Sequence, residues 1–131
     1  MTNYLVLYLA CALVFFPLDF LWLGTVGRSV YRRELGGLLL ARPDLVVAGL
    51  FYLGYVAGIV VLVAAPAEGD VLRALLYGAV LGLVAYGTYD LTNLSTLRGF
   101  SPLVTAIDMA WGAALTAAGA AGAVWLARVF A

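Results

Sequence analysis

Three acidic residues, Asp19, Asp90 and Asp108, sit inside stretches otherwise apolar enough to cross a membrane, and any chemistry in this chain would centre on them. An aspartate at a bilayer centre costs about 2.5–3.5 kcal/mol on insertion scales, so such residues normally face a protein interior and have partners. Helical spacing supplies the candidates. Asp19 and Trp22 are three positions apart, as are Asp108 and Trp111, and Tyr86, Asp90 and Asn93 follow one stripe of a helix. Tyr89 adjoins Asp90, and Tyr52 and Tyr55 fall at a similar depth on another span. Together these residues describe an acidic, aromatic-walled ligand site. Buried carboxylates gain a partner when a cation enters, and aromatic faces favour organic cations. Neighbouring acids cannot all ionise cheaply, so at least one of the three is expected to be neutral at pH 7. The competing explanation is packing, with protonated acids donating to Tyr and Asn to fix the helices. Trp22, near a helix end, also suits an interfacial belt, as do Tyr4, Tyr8 and Trp125.

The elements that position these residues follow from composition. Of 131 residues, 66% are hydrophobic and 11% charged, and the mean hydropathy is +1.08, far above a soluble domain. The chain is an integral membrane protein. Uniformly apolar runs fit helices rather than the alternating strands of a barrel, and at about 20 residues per span there is room for four, with no separate soluble domain. Residues 1–131 are expected to form one all-α unit, an antiparallel bundle of four transmembrane helices over about 4–27, 44–65, 71–94 and 102–127. The start, without a basic region ahead of its apolar run, reads as a retained first helix rather than a cleaved signal.

Charge sets the expected orientation. All seven basic residues are Arg, balanced by seven acids. Arg28, Arg32, Arg33 and Arg42 crowd the first loop, which the positive-inside rule places in the cytoplasm; both termini are then outside. In that loop Val30, Tyr31 and Leu35 alternate with Arg and Glu34, as in a short interfacial helix that Gly36-Gly37 would end. Pro43-Asp44 begins the second span and Pro66 closes it; Asp70 reads as the N-cap of the third span and Ser101-Pro102 as cap and first turn of the fourth. Pro17 should kink the first helix. At 1.5 Å per residue, Asp19, Asp90 and Asp108 lie roughly 12, 6 and 9 Å from the cytoplasmic ends of their helices. Three spans of differing direction thus bring their acids to one level.

Close approach of helices is suggested by Gly54-x-x-x-Gly58 and Gly78-x-x-x-Gly82, which would let the second and third spans meet near mid-membrane. Gly112, Ala113, Thr116, Ala117, Ala120 and Ala121 make the fourth span equally narrow. With no His and the single Cys11, zinc and His-ligated haem sites are not expected, and neither a cofactor nor a metal is assigned. No basic run points to nucleic acid.

On Asp19-x-x-Trp22-Leu23-Gly24, Tyr89-Asp90-Leu91-Thr92-Asn93-Leu94 and Asp108-x-x-Trp111-Gly112, the chain resembles a family of small bacterial membrane proteins known as domain of unknown function 2177. The resemblance covers nearly the whole chain. It implies a four-span protein of the bacterial inner membrane and supplies no activity.

The leading functional expectation therefore rests on the residues. It is a protein that binds or transports a cation or proton-linked small molecule from the cytoplasmic side, with the lipid bilayer as its surroundings. A protomer of four spans is small for a transport path, so a homodimer is expected. A lipid-acting enzyme using one carboxyl as acid or base is the alternative, although no nucleophile–base pair is evident. An accessory subunit, whose polar cluster specifies assembly, is the third.

Overall fold

The computed structural model describes residues 3–39 and 44–130. Among them are four helices long and apolar enough to span a membrane, one short helix, and no strand. Capping side chains start each long helix. Asn3 accepts from the Val6 amide at 3.1 Å and opens α1, Tyr4–Gly24. Asp44 accepts from Val46 and Val47 and opens α3, Leu45–Ile59. As expected from sequence, Asp70 caps α4, Val71–Thr96, through the Arg73 amide, and Ser101 caps α5, Pro102–Phe130, through the Val104 amide. Each cap satisfies an amide that helix geometry leaves without a partner. Arg42 and Pro43, read above as loop cation and helix-starting proline, lie outside the described residues.

α1 is shorter than the expected span. It runs through Pro17 and stops at Gly24, where Thr25 turns the chain and donates its hydroxyl to the Leu21 carbonyl at 2.6 Å. The separate helix α2, Val26–Leu35, follows, and a single 3-10 turn, Gly36–Leu38, ends it. Beyond Ile59, α3 continues as a wider π-turn, Val60–Ala64, closed by the Ala65 amide on the Val60 carbonyl at 2.8 Å.

α5 is the hub, lying between α4 and α1. Its small residues make this possible. A Cβ built on Gly78 would lie 2.9 Å from Ala117 Cα, and one on Gly82 2.8 Å from Ala113 Cα. One pair of contacts steps up α4 as the other steps down α5, so the two helices run antiparallel. The same holds for α1 and α5, where Phe15 meets Gly119 while Trp111 reaches Asp19. This corrects the expected pairing of glycines: the α4 glycines meet α5, whereas Gly54 and Gly58 on α3 face open space. The core consists of Cys11, Phe15, Val56, Ile59, Leu115 and Val124, and the outward faces carry exposed Leu, Val and Phe suited to lipid tails. Tyr8, expected in the belt, is half-buried and donates to the Leu53 carbonyl at 2.9 Å, tying α1 to α3.

Candidate functional site

The carboxyls gather at the bundle end where α1 leaves and α5 begins. Each lies about two turns or less from its helix end, at 1.5 Å per residue. Asp19 is buried at 4% exposure, Asp90 is fully buried, and Asp108 is half-buried.

Two indoles connect them. Trp22 on α1 and Trp111 on α5 stack with ring centroids 4.5 Å apart and planes within 7°. Their N–H groups serve different acids. Trp111 Nε1 donates to Asp19 Oδ1 at 3.4 Å, and Trp22 Nε1 donates to the Tyr31 hydroxyl at 3.2 Å. Tyr31 in turn donates to Asp108 Oδ1 at 2.5 Å. Trp22 is therefore part of this network rather than a belt residue. Burial, reinforced by the bond to Asp108, pushes the Tyr31 phenol above its ordinary range. Both effects disfavour a phenolate.

Two glycines make room for these rings. A Cβ on Gly27 would lie 2.6 Å from Trp22 Nε1, so only glycine lets α2 fold back over the indole and deliver Tyr31. Gly112 does the same for Tyr86, whose Cδ2 would lie 2.6 Å from an added Cβ.

Asp90 is the anomaly. Among the described residues, neither of its oxygens has a hydrogen-bond donor. The carboxyl of Asp108 lies close by, with no hydrogen bond between the two. Two carboxyls bond only through a proton that one of them carries, because each oxygen is otherwise an acceptor. The pair is therefore satisfied as one acid and one carboxylate and unsatisfied as two carboxylates.

The remaining candidates divide. Tyr52 lies beside Asp19, and Tyr86 sits close enough to feel both Asp19 and Asp108. Tyr55 packs on Tyr86 at 6.2 Å but commits its hydroxyl to Thr116 Oγ1 at 2.8 Å. Tyr89 is 61% exposed with its ring edge-on to Phe100, though still close enough to feel Asp90 and Asp108. Asn93 is half-buried and lies near Tyr89. Among the described residues, no three acidic or thiol side chains converge tightly enough to hold one metal ion. Asp108 thus lies near both other acids, with Asp90 beside it and Asp19 held by Trp111. A surface cavity of about 430 Å³ between α4 and α5, lined by Leu83, Gly87 and Met109, borders none of these carboxyls.

The short helix after the first span was expected from sequence and is present, but Tyr31 was not expected in the site and the helix was expected at the headgroups. Gly27, Val30, Tyr31, Glu34 and Leu35 are the covered positions of α2, while Arg28, Ser29, Arg32 and Arg33 are exposed. That is the i, i+3, i+4, i+7, i+8 stripe of a helix seated on protein. Glu34 extends the contact, accepting from the Ser101 hydroxyl at 3.1 Å where α5 starts.

A family model of predicted membrane proteins, DUF2177, matches residues 4–125. The chain belongs to this family. The DUF2177 match takes in all three aspartates, both stacked tryptophans and Tyr31, and the family is one of membrane proteins of unknown function. No curated protein and no solved structure matches the chain.

Proposed function

We propose that this protein is a proton-linked carrier or receptor for a small cation, with the Asp90–Asp108 pair as its exchange site. The observation that carries the reading is Asp90, fully buried, with neither oxygen meeting a donor among the described residues and a second carboxyl nearby. A buried, uncompensated carboxylate is costly, and a proton shared within the pair removes that cost. An arriving cation supplies the same compensation and sets the proton free. Binding one therefore expels the other.

The surroundings favour an organic cation. Among the described residues no three acids converge on one point, so the site offers a carboxyl pair and ring faces rather than a cage of oxygens. Tyr52, Tyr86, Trp22 and Trp111 supply the faces. Access runs from the α2 end, past half-buried Asp108. The Arg residues of the first loop support assigning that end to the cytoplasm of a bacterial inner membrane. Four spans are few for a complete pathway, which supports a homodimer as the working unit.

The test is proton release on binding. Purified protein in weakly buffered detergent is titrated with a panel of small amine and quaternary ammonium cations while an indicator dye follows pH. Wild type should release protons on binding at least one of them, and Asp90→Asn should not. Cation binding with no proton exchange, or equal release by Asp90→Asn, would remove the pair from the function.

A further inference from the structure

At the end of the bundle opposite the carboxyls lies a cavity of about 610 Å³, within the usual range for small-molecule sites. Its floor is apolar, formed by Leu7 of α1, Ala64 and Ala65 after the π-turn, and Val124 and Ala127 of α5. Among the described residues its mouth is polar and carries one charge of each sign, Glu68 and Arg128, beside Asn3. Two departures from regular backbone occur at this place. The π-turn Val60–Ala64 widens the helix and ends on the small residues that line the floor. Such turns occur often at functional sites. Glu68 is the one non-glycine residue with positive φ among those described, at 51°, a conformation disfavoured for a residue with a side chain. Gly69 follows at 83° and offers its carbonyl to Arg128 Nη1 at 3.3 Å.

We infer that this cavity is a binding site for one zwitterionic phospholipid of the phosphatidylethanolamine type. The Arg128 guanidinium takes the phosphate, since its planar fork matches two phosphate oxygens and it is already held at the rim by Gly69. Glu68 and the Gly69 carbonyl accept from the primary ammonium. An acyl chain lies over Leu7, Val124 and Ala127, where no polar side chain needs water. A phosphatidylcholine headgroup has no N–H to give Glu68, and a phosphatidylglycerol headgroup brings no positive charge to it. The site therefore selects by headgroup as well as by charge.

The inference is independent of the carboxyl site, and its test is separate. Full-length protein is reconstituted in nanodiscs of equal parts phosphatidylethanolamine, phosphatidylglycerol and phosphatidylcholine, released into mild detergent, and examined by native mass spectrometry. Wild type should retain one phosphatidylethanolamine in preference to the other two. Arg128→Gln should lose the bound lipid. Glu68→Gln should keep a lipid but lose the preference over phosphatidylglycerol. Ala127→Phe, which fills the floor and leaves both charges, should also empty the site. Equal retention of all three lipids by wild type, or undiminished phosphatidylethanolamine on both Arg128→Gln and Ala127→Phe, would overturn the inference.

Discussion

Tyr31 donates its phenolic hydrogen to Asp108 at 2.5 Å, across 77 positions of sequence, and so pins the short helix α2 onto the start of α5. The contact converts a loop helix into a wall of the carboxyl cluster. Among the described residues it also gives Asp108 a donor, where Asp90 has none.

Removing that hydroxyl should loosen α2. Tyr31→Phe keeps the ring but strands a carboxyl oxygen and the Trp22 N–H, a loss of about 1–3 kcal/mol where a buried polar group goes unpaired. Thermal unfolding in detergent should show the drop, while Tyr89→Phe, at an exposed ring, should leave stability unchanged. Equal effects of the two would mean that the Tyr31 bond contributes nothing.

The same phenol should titrate late. An ordinary tyrosine ionises near pH 10, and both burial and Asp108 hold Tyr31 above that. A neutral form favoured in the fold contributes stability below about pH 10, which is lost as pH rises through the folded-state value. The difference in phenolate absorbance between wild type and Tyr31→Phe should therefore appear only above pH 10. A tyrosinate signal at or below that pH would show that Tyr31 is not held by Asp108.

Glycine substitutions separate packing from mere spacing. Gly82→Ala would press a Cβ to 2.8 Å from the backbone of Ala113 and should cost about 1–3 kcal/mol, the range for overpacking. Gly54→Ala meets nothing within 4 Å and should be neutral or slightly stabilising, since alanine is the better helix former. Thermal unfolding of both variants decides the matter, and a strongly destabilising Gly54→Ala would restore the α3 glycines as a packing face.

Orientation is open to direct labelling. Residues 33 and 68 lie at opposite ends of the bundle, and the Arg asymmetry assigns the first to the cytoplasm. In a Cys11→Ala background, Arg33→Cys should be shielded from an impermeant reagent added outside intact cells, and Glu68→Cys should react. The reverse pattern would invert the protein and the proposed entry side.

What could be read in the sequence was whatever depends on local chemistry. Asp70 and Ser101 announce helix starts because a short polar side chain before an apolar run has an amide to satisfy. The Tyr86–Asp90 stripe was legible because residues four apart share a helix face. Tyr89 is largely exposed because adjacent helical residues point about 100° apart, so a neighbour of buried Asp90 turns to another face. The partners of glycines were not legible, since Gly-x-x-x-Gly permits close approach without naming the helix that approaches. Tyr31 was hidden by the arginines beside it, whose charge suggested a headgroup position. What brings it inward is Gly27 against Trp22, a relation between two helices that no local pattern contains.

A proton shared by Asp90 and Asp108 and displaced by a cation, as proposed, is read directly by carboxyl infrared absorption. Reconstituted wild type at neutral pH should show a protonated-carboxyl C=O band that disappears in Asp90→Asn and weakens when a bound cation is added. No such band in wild type at neutral pH, or one that Asp90→Asn leaves intact, would contradict the account.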